Sequence, residues 1–162
     1  MSKREQLINN ALGEVGTMEN PAGSNRIKYN DWYYEGRRKA RYERNTTPYA
    51  WCGTFVAYCY HFSGIILHKD LHECIGYVPA AQNWLRANNK STATPKAGDI
   101  VIFDWQNDGH EDHIGIFKEM QGEYAICIEG NTSDGGSQSN GGTVLEKKRN
   151  LNLIEGFYNV ID

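Results

Sequence analysis

The sequence predicts an α+β fold in which helices from the first half of the chain pack on an antiparallel sheet built by the second half. Three observations carry that reading. Before the turn-forming run Pro95-Lys96-Ala97-Gly98 the apolar residues recur at helical spacings. After it they fall into short β-branched runs separated by Gly and Asn. Such segregation of helices from strands along a chain is the pattern of α+β layers. Composition is the third observation: 40% hydrophobic and 12% aromatic residues in a 162-residue chain supply the apolar area for one compact core. With no repeat period and no Pro- or Ser-rich linker, a single domain over residues 1–162 is expected.

In chain order the predicted helices are Lys3 to Glu14, part of Arg26 to Arg38, Trp51 to Gly64 and Ala80 to Asn88. The predicted strands are Asp99 to Asp104, His113 to Lys118, Tyr124 to Glu129, Thr143 to Arg149 and Ile154 to Ile161. The third helix matters most. At ~100° per residue, Cys52, Phe55, Cys59, Phe62 and Ile66 fall on one stripe of roughly 80°. Cys52 therefore opens that helix on the face turned to the sheet, and Thr46, Thr47 and Pro48 supply the turn chemistry to start it.

Charge excludes some partners. The formal net charge is -3, and the dense basic runs, Arg37-Arg38-Lys39 with Arg41 and Lys147-Lys148-Arg149, read as solvated faces. A duplex binder needs a basic excess to displace counterions from phosphate, so no nucleic-acid partner is expected. The apolar stretches are too short for a signal-peptide core or for the ~20 residues that span a bilayer, so no membrane insertion is expected. The chain reads as made in the cytoplasm, where thiols stay reduced. Nothing in the sequence fixes an oligomeric state.

The four cysteines, Cys52, Cys59, Cys74 and Cys127, show no CxxC or zinc-ribbon spacing. Taken alone, Cys52 would be read as a core cysteine. Its place at a helix start, however, sets it beside unpaired backbone N–H groups and the positive end of the helix dipole, which favour thiolate and suit a nucleophile. Cys59 and Cys127 lie inside apolar runs and read as buried hydrophobes. Cys74 closes His68-Lys69-Asp70-Leu71-His72-Glu73-Cys74, where two histidines four apart could share a helix face; no further ligand follows at metal spacing, and a solvated connector is preferred to a zinc site.

Two histidines are candidate bases. His110 lies in a polar, Gly-containing loop, while His113 opens an apolar strand that would hold its ring rigidly. If the next two strands form a hairpin closed by Lys118 opposite Tyr124, a five-residue loop results and His113 stands directly opposite Glu129. Glu129 can then accept the imidazole N–H and stabilise imidazolium. A loop with an even number of residues would turn Glu129 to the other face unless a bulge restored it. Asn131, two residues on, returns to the same face, either to orient the histidine or to polarise a substrate carbonyl.

The motifs Tyr49-Ala50-Trp51-Cys52-Gly53-Thr54-Phe55-Val56, Ala97-Gly98-Asp99-Ile100-Val101-Ile102-Phe103, Asp112-His113-Ile114-Gly115-Ile116 and Ile128-Glu129-Gly130-Asn131-Thr132 resemble, in order, those of the CHAP family. The resemblance runs from about Asn25 to near the C-terminus and implies a papain-like fold of the NlpC/P60 type. It also implies Cys52 as nucleophile, His113 as general base, Glu129 as the histidine's partner and Asn131 as an accessory polar residue. Members are mostly peptidoglycan amidases or endopeptidases, often phage endolysins, so bacterial peptidoglycan is the implied partner. Such a chain would reach the wall through a holin, a secretion machine or lysis. The stretch Gly136 to Val144 resembles the endolysin branch, as does Pro21-Ala22-Gly23-Ser24-Asn25, which otherwise reads as a plain loop.

Some members carry an aspartate-rich calcium loop before the cysteine. The corresponding Arg41 to Thr47 lacks alternating carboxylates, so no metal and no cofactor are expected. Trp51, Trp105 and Tyr49 either wall the cleft or pack the core. Either the chain is a lone catalytic domain or it belongs to something longer. Two other functions stay open: a cysteine peptidase or amidase on a non-wall amide, such as a delivered toxin, and a silent wall-binding or phage structural module.

Overall fold

The structure, a computed structural model, describes residues 1–35 and 49–162. Helix α1, Lys3–Gly13, starts on Ser2, whose hydroxyl accepts the Glu5 N–H while the Glu5 carboxylate returns to the Ser2 N–H, a reciprocal cap. Helix α2 spans Lys28–Tyr33, α3 Cys52–Phe62, α4 Lys69–Cys74 and α5 Val78–Ala87, the last with Pro79 in its first turn. Strands β1 Ile100–Phe103, β2 His113–Gln121, β3 Tyr124–Thr132, β4 Thr143–Asn150 and β5 Ile154–Tyr158 form one sheet in the order β4-β3-β2-β1-β5. Every pairing is antiparallel, and the predicted α+β arrangement is the one observed.

Period-two alternation along the strands sorts the apolar residues onto two faces. Ile100, Ile102, Ile114, Ile116 and Ile128 share a core with α1, α3 and α5. Val101, Phe103, Phe117, Ala125 and Cys127 face the other way, packed with Trp105, Ile154 and Phe157. Among the described residues no helix is long and apolar enough to cross a membrane.

Three sequence expectations about elements are corrected. The apolar stripe of α3 holds for Cys52, Phe55 and Cys59, but Phe62 is half exposed and Ile66 is 94% exposed. The helix ends at Phe62, and Gly64 turns the chain at φ +69, so Ile66 lies beyond the helix and out of its phase. Residues 69–74, expected as a connector, form α4, capped by the His68 side chain accepting the Asp70 N–H. Gly53 shows why α4 matters: a Cβ there would stand 1.8 Å from the Ile75 carbonyl oxygen, so only glycine lets the first turn of α3 rest on the end of α4.

The third correction is the hairpin register. Gln121 pairs with Tyr124 across a two-residue Gly122-Glu123 turn, not Lys118 with Tyr124 across five. An unbroken ladder from that turn would send Glu129 to the face opposite His113. A bulge between Phe117 and Glu119, with Lys118 as its extra residue, restores the phase, so Phe117 pairs with Cys127 and Ile116 with Ile128. Glu129 therefore stands beside Gly115 rather than directly opposite His113, on His113's face and one diagonal step away.

Candidate active site

Cys52 is the first residue of α3 and is almost fully buried. Trp51, the residue before it, caps the helix with backbone alone and provides no side-chain bond to the first N–H groups. The start of α3 is pressed directly on β3. A Cβ on Gly130 would lie 2.6 Å from the Phe55 Cβ and 2.9 Å from Trp51 Cζ3, so this glycine is the contact that sets Cys52 over the strand carrying Glu129.

His113 opens β2 opposite Phe103 and is fully buried. Its Nε2 lies 3.4 Å from Glu129 Oε2, short of an aligned hydrogen bond, and neither ring nitrogen makes one among the described residues. Catalytic contacts of this kind commonly tighten only when substrate binds. Burial pulls the imidazole pKa down, but the interactions with Cys52, and then with Glu129, outweigh it and raise His113 from 6.5 to about 9. Cys52 and Glu129 thus both act on one ring. With Nε2 turned to the carboxylate, Nδ1 is the nitrogen left for the thiol.

Behind Glu129 lies a residue that the sequence reading misplaced. Arg149 is 7% exposed, and its Nε and Nη2 reach Glu129 Oε1 and Oε2 at 2.8 and 2.5 Å. The run Lys147-Lys148-Arg149 is therefore no uniform solvated face. Period-two alternation exposes Lys148 and turns Arg149 and Lys147 to Glu129's side, where Lys147 bonds the Ser133 carbonyl. Burial pushes the Glu129 carboxyl up, yet the bonds from Arg149 and the nearby His113 ring more than offset this and hold it below the ordinary glutamate value. Glu129 is ionised at neutral pH.

The other thiols have different settings. Burial pushes Cys59 and Cys127 well above the ordinary thiol value, with the charges of Glu14 and Glu129 respectively adding to it. Cys74 is also raised, chiefly by burial. Cys59 and Cys127 are buried as the sequence suggested, whereas Cys74 ends α4 instead of lying in a connector. His110 lies exposed in the loop between β1 and β2.

Asn131 departs from the simple alternation. It sits at φ +59 in an irregularity of the ladder between Glu129 and Thr132, which breaks its expected return to Glu129's face. Its amide donates to Asn140 Oδ1 at 3.1 Å and accepts the Gly142 N–H at 3.1 Å, so it fastens the loop between β3 and β4. Trp51 is fully buried core, whereas Trp105 is half-buried, stacks on Phe103 at 4.9 Å and approaches the His113 ring at 5.8 Å. Tyr49 packs on Tyr34.

Glu19 was not singled out by its sequence context, a lone acid in a polar loop. Its carboxylate accepts the Gly23 and Asn25 N–H groups and Trp51 Nε1–H, at 2.6, 3.0 and 3.1 Å, and its own N–H reaches the Gly142 carbonyl. It therefore ties the Pro21 to Asn25 loop and the β3–β4 loop to the residue before Cys52. Among the described residues no group of three or more His, Cys, Asp or Glu stands together as a metal site. The Arg41 to Thr47 stretch, the basic run Arg37 to Lys39 and the Thr46-Thr47-Pro48 turn lie outside the described residues.

A thiol opening a helix and an imidazole opening a strand, on helices that precede an antiparallel sheet, form the arrangement of papain-like cysteine–histidine hydrolases. Residues 42–131, more than half of the chain, match the family described as CHAP domain, and the chain belongs to that family. CHAP domains are typically cysteine- and histidine-dependent amidohydrolases or peptidases, a family of peptidoglycan hydrolases and amidases. The match takes in Cys52, His113, Glu129 and Asn131 and ends before Arg149. No curated protein matches the chain.

Proposed function

We propose that this chain hydrolyses an amide bond of bacterial peptidoglycan, with Cys52 as nucleophile, His113 as general base and Glu129 as the carboxylate that orients and charges the base. The observation that carries this reading is the 3.4 Å approach of Glu129 to an imidazole that Cys52 also acts on.

The chemistry follows from those positions. Cys52 gives its proton to His113, and the sulfur attacks the amide carbonyl carbon in the peptide stem or at the sugar–peptide junction. The uncapped N–H groups at the start of α3 face the oxyanion that forms. Collapse of the tetrahedral intermediate breaks the C–N bond, and the departing amine takes the proton from His113. Water then gives His113 a proton as it attacks the thioester, which releases the carboxylic acid and restores the Cys52 thiol. Asn131 and Glu19 act at one remove, by holding the loops on either side of α3's first turn.

The test is a turbidity assay on purified cell walls, with mass spectrometry of the released fragments. Clearing of the walls, with new amino and carboxyl ends at one amide, is the expected result. Intact walls alongside hydrolysis of simple peptide amides would transfer the mechanism to a non-wall substrate; no hydrolysis of either would favour a silent module.

A further inference from the structure

We propose that Arg149 is a fourth member of this site, a positioning residue that clamps both oxygens of Glu129 and fixes the carboxylate against His113. The inference rests on the Cys52–His113–Glu129 reading and adds a residue that lies beyond the CHAP match.

The geometry is that of a fork. Nε holds Oε1 at 2.8 Å and Nη2 holds Oε2 at 2.5 Å, so the carboxylate plane is set by the guanidinium plane. Oε2 is the same oxygen that His113 Nε2 approaches at 3.4 Å. A carboxylate held only by a 3.4 Å contact to one imidazole could rotate about its own axis; the fork removes that freedom. The guanidinium is itself held in place, with its carbon 4.8 Å from the Trp105 ring and 5.7 Å from the Phe103 ring, and Nη1 donating to Gln138 Oε1 at 2.8 Å. Those two rings also flank His113, at 5.8 and 5.7 Å. Gln138 belongs to the β3–β4 loop, so the fork links that loop to the base.

Charge gives the fork a second consequence. The titratable groups facing Glu129 are His113 from β2, Cys127 beside it on β3 and Arg149 from β4, while β1 contributes only Val101 and Phe103. Cys52 of α3 faces the imidazole, and Lys147 is turned to Ser133 and Asp134. Arg149 is thus the permanent cation opposite a fully buried carboxylate. Without it Glu129 would take a proton at higher pH, lose its hold on imidazolium, and leave the Cys52 thiolate without its counter-ion.

The experiment measures the rate of Cys52 alkylation by iodoacetamide against pH, followed at that residue by mass spectrometry, together with the pH profile of wall lysis. Alkylation needs no wall substrate, so it reports on Arg149 even if the proposed substrate is wrong. In Arg149→Met the acid limb of alkylation should move up by about one pH unit or more, since an opposite charge within ~4–6 Å shifts a carboxyl by that order. Arg149→Lys, which keeps the charge and loses the fork, should keep the limb near wild type while lysis falls. In a Glu129→Gln background, Arg149→Met should move the limb no further. If Arg149→Met alone does not fold, Arg149→Lys and the double variant, which leaves no unpaired buried charge, carry the test. A limb that stays put or moves down in a folded Arg149→Met protein, or that moves equally in the Glu129→Gln background, would overturn the proposal.

Discussion

Gly130 lies so close to Phe55 that a Cβ on it would stand 2.6 Å from the Phe55 Cβ and 2.7 Å from Cγ. Strand and helix therefore meet one residue from Glu129 and three from Cys52. Phe55 is fully buried and cannot swing aside, so the added methyl of Gly130→Ala must push α3 off β3. Overpacking of this kind costs about 1–3 kcal/mol. The expected result is a lower Tm in thermal unfolding, and a loss of activity larger than the stability change accounts for, because the shift falls on the helix that carries Cys52.

Glu129→Gln removes the negative charge while keeping the size of the side chain. His113, held at about 9 in part by that charge, should titrate lower, which a ¹⁵N-histidine NMR titration would show. Lysis should slow, and less than it does when Cys52 is lost, since the third group orients and charges the base without forming a bond to substrate. An unchanged His113 titration would mean that Glu129 serves only Arg149.

Stability should depend on pH in two directions. The folded protein holds the His113 proton up to about 9 against an ordinary value of 6.5, so that contribution is complete below pH 6.5 and is lost as pH rises through 9. Glu129, with its pKa lowered, contributes stability above the ordinary glutamate range that is lost as pH falls through its folded value. Urea unfolding between pH 6.5 and 9 should show a decline that is much reduced in His113→Gln.

The elements were legible because burial on one face leaves a period in the sequence: 3.6 through Leu7, Ile8 and Ala11, and two through Ile100, Ile102, Ile114 and Ile116. Cys52 and His113 were readable as the first residues of such elements. The sequence placed Glu129 on His113's face, but through the wrong loop and register: the turn has two residues rather than five, and nothing in Phe117-Lys118-Glu119 marks the bulge that returns Glu129 to that face beside Gly115. Arg149 was hidden by its neighbours. A basic triplet reads as solvent-facing until strand alternation separates Arg149 from Lys148, and that alternation was the available signal. Glu19 reaches Trp51 and Gly142 far along the chain, and Asn131 bonds Gly142 across the β3–β4 loop, contacts that no local pattern encodes.

The most direct test of Cys52 as nucleophile is wall lysis by Cys52→Ser compared with Cys127→Ser, each shown by circular dichroism to be folded. Serine keeps the size of the side chain and loses the readily formed thiolate, so Cys52→Ser should abolish lysis. Cys127, buried in the second apolar cluster with its thiol pushed well up, should be replaceable with lysis retained. Lysis that persists in Cys52→Ser, or that is lost in a folded Cys127→Ser, would contradict the account.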